Sequence, residues 1–247
     1  MKTALTIAGF DPSGWAGVLA DVKTFEAFGV QGVAAVSALT AQNRKVVRAT
    51  QPVNAAFLEK EVNALTEGFR IDAVKIGMLG SGANVRAVAG IIKKKNLKNI
   101  VLDTVFCSTS GHALLDKKGV VEIKRLLPLI TIATPNIAEA SVLSGIKIKN
   151  IHDMEAAAKK IFALGARNVL VKGGHLKGEP IDILFDGRRT FHFKGKRIKA
   201  TKAVLHGTGC IFSSAIAASL AKGLTVRRAV KDAKQYLTDE LKRRKLG

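Results

Sequence analysis

Cysteine, proline and aromatic residues are scarce in this sequence. Its 247 residues include two cysteines, five prolines, one tryptophan and one tyrosine, and aromatic residues make up 5% of the chain. Two cysteines exclude a disulfide-stabilised scaffold and are typical of a reducing compartment, so we expect a cytoplasmic protein. No Pro- or Ser-rich linker interrupts the chain, and we therefore predict a single domain over residues 1–247.

Acidic residues are also few. Nineteen Asp and Glu stand against 40 Lys and Arg, which gives a formal net charge of +21. Such an excess is compatible with nucleic acid, an anionic membrane surface or an anionic small substrate as partner, or with a basic surface alone. Because aromatic residues are only 5% of the chain and no nucleic-acid-binding motif is recognisable, we do not expect a nucleic-acid partner.

Long apolar runs are missing as well. No apolar stretch approaches the roughly 20 residues of a membrane span, so we expect no membrane association. The first apolar run, Thr3–Gly9, is ended by Asp11 and Pro12, too early for the apolar core of a signal peptide. A hydrophobic share of 47% beside 24% charged residues also excludes a disordered chain.

The sequence does contain a regular alternation of short apolar runs and segments of helical periodicity. This alternation predicts an α/β protein with a mostly parallel central sheet covered by helices on both faces. The predicted strands are Thr3–Gly9, Val33–Ala38, Ala73–Ile76, Ile100–Asp103, Leu129–Thr134, Asn168–Val171, Ile181–Phe185 and Thr190–Phe193. The predicted helices are Trp15–Phe28, Asn54–Glu67, Asn84–Lys95, Ile137–Leu143, Met154–Leu164, Gly209–Lys222 and Val226–Lys242.

Ligands of such sheets bind beyond the carboxyl ends of the strands, so the segments that follow strands are the candidates for a site. The first, Gly9–Gly17, carries three glycines between a strand and a helix. These glycines allow the backbone to approach a ligand closely, or they serve a turn that simply needs glycine. No GxxxxGK[ST] and no strand-to-helix GxGxxG motif is present, so neither a Walker nor a Rossmann nucleotide site is predicted.

A second segment, Gly207–Cys210, opens a predicted helix. Consecutive backbone N–H groups at a helix start form an anion hole that suits a phosphoryl group. Cys210 falls in the first turn, where the helix dipole favours a thiolate that could accept a proton from an attacking hydroxyl. The alternative is a buried structural cysteine.

Two further segments have equally plain alternatives. Asn136 and Glu139 are three residues apart and share a helix face, where they could hold Mg²⁺ through its waters or merely cap the helix. Lys172 precedes Gly173 and Gly174 at a strand end, a pattern that fits nucleotide phosphates or a turn with a solvated lysine. The histidines have no metal-ligand spacing with the cysteines.

Together these segments give the chain a family resemblance over residues 4–233. The sequence resembles the hydroxymethylpyrimidine/phosphomethylpyrimidine kinases of thiamine synthesis, in the ribokinase superfamily. The motifs that carry the resemblance are ALTIAG (4–9), DPSG (11–14), ADVKT (20–24), AQN (41–43), KIGML (75–79), SG (110–111), TPN (134–136), KGGHL (172–176) and HGTGC (206–210).

The resemblance implies a three-layer ribokinase-like fold and ATP- and Mg²⁺-dependent phosphorylation of an aminopyrimidine alcohol, with the monophosphate as a further substrate. It implies that Cys210 is the catalytic base within the loop of Gly207, Thr208 and Gly209, and that Gln42 hydrogen-bonds the aminopyrimidine. The other implied residues are Gly9, Asp21 and Met78 for substrate, Lys172, Gly174 and Thr208 for nucleotide, and Glu139 and Asn136 for Mg²⁺ through water. Relatives are often homodimers.

Two aromatic residues depart from the family pattern. Phe10 stands where Ser or Thr is usual, and Trp15 stands where Gly is usual. Either the pocket is smaller, or the rings close over a flat ligand by stacking. These aromatic residues leave open a pyrimidine-binding regulatory relative without turnover. The resemblance itself leaves open a pyridoxal-type vitamin kinase, because close relatives in the same branch phosphorylate pyridoxal. Gln42 favours the pyrimidine, because relatives that act on pyridoxal tend to lack glutamine there.

Overall fold

The computed structural model describes residues 1–108, 111–174, 178–198 and 200–246. Ser110 and the pair His175–Leu176, which belong to two of the sequence motifs, lie outside the described residues. The described part of the chain forms one nine-stranded sheet in the order β3-β2-β1-β4-β5-β6-β7-β8-β9. The strands are β1 (Thr3–Phe10), β2 (Gln31–Gln42), β3 (Val47–Pro52), β4 (Ala73–Ile76), β5 (Ile100–Leu102), β6 (Ile132–Ala133), β7 (Val169–Val171), β8 (Ile181–Phe185) and β9 (Thr190–Lys194).

The sheet is parallel in its centre and antiparallel at its edges. Strands β2, β1, β4, β5, β6 and β7 pair in parallel. The edge pairs β2–β3, β7–β8 and β8–β9 are antiparallel. The carboxyl ends of the parallel strands therefore meet along one edge of the sheet, where the candidate segments follow them.

Helices cover both faces of the sheet. They are α1 (Gly17–Ala27), α2 (Ala55–Gly68), α3 (Gly82–Lys94), α4 (Lys117–Leu126), α5 (Ile137–Ser144), α6 (Ile151–Phe162), α7 (Lys202–Leu205), α8 (Thr208–Ala221) and α9 (Val226–Leu246). One buried cluster joins the sheet to α2–α6, and a second joins its other face to α1, α8 and α9. The predicted three-layer α/β architecture with a mostly parallel sheet is confirmed.

Several element boundaries differ from the prediction. The predicted strand Leu129–Thr134 is reduced to Ile132–Ala133, because Leu127–Leu129 form a 3₁₀ turn around Pro128. Strand β3 was not predicted, since its side chains are mostly exposed and show no apolar alternation. Helix α4 was not predicted either. It begins at an Asp116 cap whose carboxylate accepts the N–H of Gly119, a signal that its basic first turn obscured.

The expectation about apolar runs also needs a correction. Residues Ala203–Ala221 form a 19-residue segment that is apolar enough for a membrane span by length and composition alone. Within it, every residue from Ile211 to Ala221 is buried in the fold. Because α8 packs between the sheet and the helices α1 and α9, its apolar composition is that of a core helix.

A buried ion pair joins four of these elements. Lys75 of β4 and Asp21 of α1 are both fully buried, and Lys75 Nζ lies 2.7 Å from Asp21 Oδ2. The hydroxyl of Thr6 in β1 donates to the same carboxylate oxygen at 2.6 Å, and Ser214 of α8 donates to Oδ1 at 2.7 Å. Burial alone would lower the pKa of Lys75, but Asp21, Cys210 and Asp103 outweigh burial and raise it.

Removal of this lysine is expected to destabilise the fold. Lys75→Met keeps the length of the side chain but leaves the Asp21 carboxylate buried without its cation, which typically costs about 3–5 kcal/mol. Urea unfolding followed by circular dichroism measures the loss. Lys93→Met, at an exposed position in the last turn of α3, is the control and is expected to change stability by less than about 0.5 kcal/mol. Equal effects of the two substitutions would contradict the role given to the buried pair.

Candidate active site

The segments that follow β1, β5 and β7 converge on the first turn of α8, and the segment that follows β6 joins them through the N–H of Lys172, which donates to the carbonyl of Pro135 at 2.8 Å. The backbone of Gly207 packs against the carbonyl of Trp15, and the Cα of Gly209 faces the side chains of Asp103 and Lys172. These contacts confirm that the post-strand segments form one cluster at the carboxyl edge of the sheet. The predicted residues Gly207, Thr208, Gly209, Cys210 and Lys172 all belong to this cluster or border it.

Asp11 organises the loop between β1 and α1. Its Oδ1 accepts the backbone N–H of Ser13 at 2.8 Å and the Ser13 hydroxyl at 2.7 Å. Its Oδ2 accepts the N–H of Ala16 at 3.0 Å and lies 3.1 Å from His206 Nε2. Burial alone would raise the pKa of Asp11, but the hydrogen bonds from His206 and Ser13 hold that pKa below its usual value. The carboxylate thereby ties this loop to the segment before α8.

Two glycines of the cluster permit close chain–chain approach. Gly17 has φ +59°, and a Cβ there would lie 2.1 Å from the carbonyl oxygen of Gly9. Gly207 has φ +74°, and its Cβ would lie 1.8 Å from the carbonyl oxygen of Trp15. Both positions therefore require glycine for packing. At Gly17 the plainer alternative, a turn that needs glycine, accounts for the residue without a ligand.

The first turn of α8 offers free backbone donors. Gly207 is its N-cap, and the carbonyl of Gly207 accepts the N–H of Ile211 at 3.0 Å. Helix geometry leaves the N–H groups of Thr208, Gly209 and Cys210 without intrahelical acceptors. A Cβ on Gly209 would lie 3.5 Å from both Lys172 Nζ and Asp103 Oδ2. This turn therefore combines N–H donors with a neighbouring cation, the arrangement that binds an anion.

Cys210 lies in this turn, but its thiol is not activated in the described structure. The backbone N–H of Gly17 donates toward its sulfur, and the charge of Lys75 favours its thiolate. Burial is the largest influence and, with Asp21 and Asp103, raises the pKa of Cys210 to about 11. The predicted lowering of this pKa is wrong for the structure as it stands, because desolvation and the two carboxylates raise it.

Asp103 and Lys172 form the charged floor beside this turn. Lys172 Nζ lies 2.8 Å from Asp103 Oδ1, and the Ser213 hydroxyl donates to Asp103 Oδ2 at 3.3 Å. Burial would raise the pKa of Asp103, but Lys172 and Lys75 outweigh it and lower that pKa. Burial would likewise lower the pKa of Lys172, but Asp103 and Glu139 raise it. Both groups are therefore charged at neutral pH, and the plain alternative of a solvated lysine is wrong for Lys172.

Asn136 and Glu139 form a capping box at the start of α5. The N–H of Asn136 donates to Glu139 Oε2 at 2.8 Å, and the N–H of Glu139 donates to Asn136 Oδ1 at 3.1 Å. The Thr104 hydroxyl donates to the same Glu139 oxygen at 3.0 Å. Burial, assisted by Asp103, raises the pKa of Glu139 to about 7. The capping alternative is thus confirmed, while the magnesium role is a separate question.

The predicted substrate residues lie at different depths. Gly9 packs against Met78, with its Cβ position 2.9 Å from the Met78 sulfur. Asp21 does not line an open surface: it is fully buried beneath the site in its pair with Lys75. Gln42 is half-buried at the end of β2, where it pairs with Val47 of β3. It lies on the β2–β3 hairpin.

The structure also places Gly174 and the two aromatic residues, Phe10 and Trp15, that depart from the family pattern. A Cβ on Gly174 would meet no atom of the described residues within 4 Å, and the Gly174 carbonyl accepts a hydrogen bond from Arg197 Nη1 at 3.0 Å. Of the two aromatic departures, Phe10 is half-buried and its carbonyl accepts the Thr40 hydroxyl at 2.8 Å. The Trp15 ring lies against the guanidinium groups of Arg44 and Arg244.

Sequence reasoning missed the charged residues that organise the cluster. Lys75 lies inside an apolar strand and Asp103 directly follows one, so a charge in or after a buried run was the available signal. Asp11 belonged to a recognised motif, but its pairing with His206 spans 195 residues of sequence. Nothing in a single sequence indicates that pairing.

The described residues contain no group of three or more His, Cys, Asp or Glu side chains able to hold a metal ion.

Comparison with known proteins assigns the family. A protein-family model described as phosphomethylpyrimidine kinase matches residues 11–247 of this chain. The hydroxymethylpyrimidine/phosphomethylpyrimidine kinase of Aquifex aeolicus is 43% identical over 247 residues, covering 99% of this chain and 96% of that protein. The crystal structure of phosphomethylpyrimidine kinase from Clostridium difficile aligns with a TM-score of 0.86 at 40% identity, over 97% of this chain and 99% of that one.

Pyridoxal kinases share the same architecture. An ADP complex of Bacillus subtilis pyridoxal kinase aligns with a TM-score of 0.86 at 38% identity, over 96% of this chain and 90% of that chain. The ribokinase-like fold is therefore confirmed, and the chain belongs to the phosphomethylpyrimidine kinase family.

Proposed function

We propose that this protein transfers the γ-phosphoryl group of ATP to the hydroxymethyl group of 4-amino-5-hydroxymethyl-2-methylpyrimidine in thiamine synthesis, and that the monophosphate product is its second substrate. The observation that carries the proposal is the first turn of α8. There, free N–H donors lie beside Lys172, Asp103 and the Cys210 thiol. Full-length similarity to kinases named for these two substrates supports the same conclusion.

The chemistry is a direct phosphoryl transfer. The substrate oxygen attacks the γ-phosphorus, its O–H proton passes to the thiolate form of Cys210 and restores the thiol, and the bond from the γ-phosphorus to the bridging oxygen breaks to release ADP. Negative charge on the transferring group is stabilised by the N–H groups of Thr208, Gly209 and Cys210 and by the Lys172 ammonium. Because these donors are fixed by the helix and by the Asp103 pair, they need little rearrangement during the reaction.

The substrate side of the site is the β2–β3 hairpin and the ends of β1 and β4. The Gln42 amide offers both a donor and an acceptor, which suits an aminopyrimidine edge. Gly9 and Met78 pack together at the strand ends and form the apolar wall. Asp21 acts indirectly, because its ion pair holds Lys75, whose charge favours the Cys210 thiolate.

The residues around Glu139 fit a magnesium ion held through water. Its carboxylate is buried, and its pKa is raised to about 7, so a nearby divalent cation would favour the ionised form. Glu139 would hold the ion, with Asn136 contributing through water. When bound, Mg²⁺ neutralises charge on the β- and γ-phosphate oxygens.

A pyridoxal-type kinase is the second candidate. The pyridoxine kinase of Bacillus subtilis is 39% identical to this chain over 248 residues, so overall similarity does not separate the two substrates. Gln42 is the local feature that favours the pyrimidine.

We also propose a single catalytic unit over residues 1–247 that works as a cytoplasmic homodimer. Both cysteines are unpaired, as in a reducing compartment. Neither nucleic acid nor membrane is part of this proposal.

The decisive experiment is an ATP-consumption assay with hydroxymethylpyrimidine, its monophosphate and pyridoxal in parallel. The highest kcat/KM is expected with hydroxymethylpyrimidine. A preference for pyridoxal would favour the second candidate. Calorimetric binding of the pyrimidine without any product would instead indicate a regulatory relative that has lost turnover.

Cys210→Ala is expected to reduce kcat by about 10²–10⁴-fold and to change substrate KM much less, because it removes only a transition-state proton acceptor. Steady-state kinetics measures both constants. Cys107→Ala removes the other cysteine, which is exposed, and is expected to leave both constants unchanged. An unaltered kcat in Cys210→Ala would eliminate the proposed base.

The same assignment predicts a pH dependence. With the pKa of Cys210 raised to about 11, the thiolate fraction of the free enzyme rises about tenfold for each pH unit below that value. We therefore expect kcat/KM to increase from pH 7 to pH 10. In Cys210→Asp the base is ionised throughout this range, and its profile is expected to be flat. Parallel profiles for the two proteins would contradict the assignment.

Glu139→Gln is expected to raise the Mg²⁺ concentration for half-maximal activity by about 10–100-fold, because the amide keeps the cap acceptor but removes the charge. Titration of activity with Mg²⁺ measures the shift. Asp153→Asn is the matched control, since Asp153 closes the capping box of α6 with Asn150. If both variants lost thermal stability and neither changed the Mg²⁺ dependence, Glu139 would be a helix cap without a role in binding Mg²⁺.

A further inference from the structure

The single tryptophan of the chain connects three distant segments. The guanidinium carbon of Arg44 lies 3.6 Å from the centroid of the Trp15 ring, and that of Arg244 lies 4.4 Å from it. Both distances are well within the range of a cation–π contact. Trp15 lies in the loop between β1 and α1, Arg44 in the turn between β2 and β3, and Arg244 near the end of α9.

Arg244 is held firmly in this arrangement. Its Nε donates to Glu240 Oε1 at 3.0 Å, and its Nη1 donates to the carbonyl oxygen of His206 at 3.0 Å. Its side chain is only 11% exposed, whereas that of the adjacent Arg243 is 64% exposed. Arg244 is thus an enclosed cation that reaches from the C-terminal helix to the segment before α8.

The loop of Trp15 touches the same segment by two other routes. The carbonyl of Trp15 packs against Gly207, the N-cap of α8. The carboxylate of Asp11 lies 3.1 Å from His206 Nε2. His206 is therefore hydrogen-bonded at its ring to Asp11 and at its carbonyl to Arg244. These contacts fix the backbone that leads into the phosphate-binding turn.

Arg44 extends the arrangement to the substrate side. It follows Gln42 by two residues, in a turn where Asn43 Oδ1 accepts the N–H groups of Lys45 and Val46. The contact of Arg44 with Trp15 consequently holds the hairpin that presents Gln42.

We propose that Trp15, Arg44 and Arg244 form a positioning cluster, which holds the Gln42 hairpin and the first turn of α8 in one fixed relation. The kinetic part of this inference rests on the proposed function. None of the three residues is given a chemical step, and Arg244 acts through the carbonyl of His206. The cluster has two parts that can be tested separately, which we call its two arms. Arg44 positions the β2–β3 hairpin that carries Gln42, and Arg244 positions the first turn of α8, which we call the phosphate turn.

Intrinsic fluorescence tests the cluster without any assay of activity. Because the chain has one tryptophan, its emission reports on Trp15 alone. Arg44→Met and Arg244→Met are each expected to shift the emission to longer wavelength and to increase quenching by acrylamide. Arg243→Met is the matched control: Arg243 also pairs with Glu240 and lies 5.9 Å from the Tyr236 ring. It is expected to leave Trp15 emission unchanged.

Steady-state kinetics separates the two arms. Arg44→Met is expected to raise the KM for hydroxymethylpyrimidine about tenfold with little change in kcat. Arg244→Met is expected to lower kcat about tenfold or more, because a displacement of about 1 Å in the phosphate turn is enough for such a loss. A purely structural role would give the same loss for Arg243→Met and Arg244→Met at matched thermal stability, and that result would overturn the proposal. Unchanged emission in both Met variants at the cluster would do the same.

Arg244→Lys keeps the test decisive if Arg244→Met does not fold. Lysine preserves a cation near the ring but lacks the planar fork that reaches the His206 carbonyl. For Arg244→Lys we expect a Trp15 emission close to that of the unmodified protein and a reduced kcat. An unreduced kcat would contradict the role assigned to Arg244. An unmodified protein without turnover would contradict the proposed function, while the emission results would still decide whether the cluster exists.

Discussion

The site depends on charges that are buried in pairs. Lys75 has no contact with solvent, and it stays charged because the Asp21 carboxylate, 2.7 Å away, and the more remote Asp103 outweigh the effect of burial. Asp103 is likewise enclosed and is balanced by Lys172. Each pair draws its partners from different strands and helices, so the positions of those elements and the electrostatics of the site are set by the same contacts. A buried ion pair adds little net stability, but an unpaired member is costly, and this cost restricts the chain to arrangements in which both pairs form.

These paired charges also explain the state of Cys210. Two carboxylates and burial disfavour its thiolate, while Lys75 and the N–H of Gly17 favour it. The balance leaves a protonated thiol in a position where phosphates would bring further negative charge and Mg²⁺ further positive charge. Burial and Asp103 likewise raise the pKa of Glu139 to about 7. The protonation of both groups therefore depends on the charge of a ligand bound in the site.

Much of the fold follows from local patterns in the sequence. The parallel strands β1, β4 and β7 are short apolar runs, and periodicity locates the long helices. The predicted helix over Asn54–Glu67 differs by one residue at each end, since Asn54 is its cap. Strand β3 and helix α4 escaped prediction because the first lacks a buried face and the second begins with two lysines and a glycine. Within the site, motifs located the turn of α8 and Lys172. The partners of Asp11, Asp21 and Arg244 could not be predicted, because a single sequence carries no record of contacts between remote segments.

The contact between the loop of Asp11 and the turn before α8 has a consequence for the order of folding. Asp11 meets His206 across 195 residues, and Asp21 meets Ser214 across 193. Contacts of such sequence separation form late, since a long loop must close before they contribute. During synthesis, the first strands and helices leave the ribosome long before α8 exists. A nascent chain thus carries Asp21 without its Ser214 partner until α8 has been synthesised, and the buried pair of Asp21 and Lys75 lacks this hydrogen bond before then.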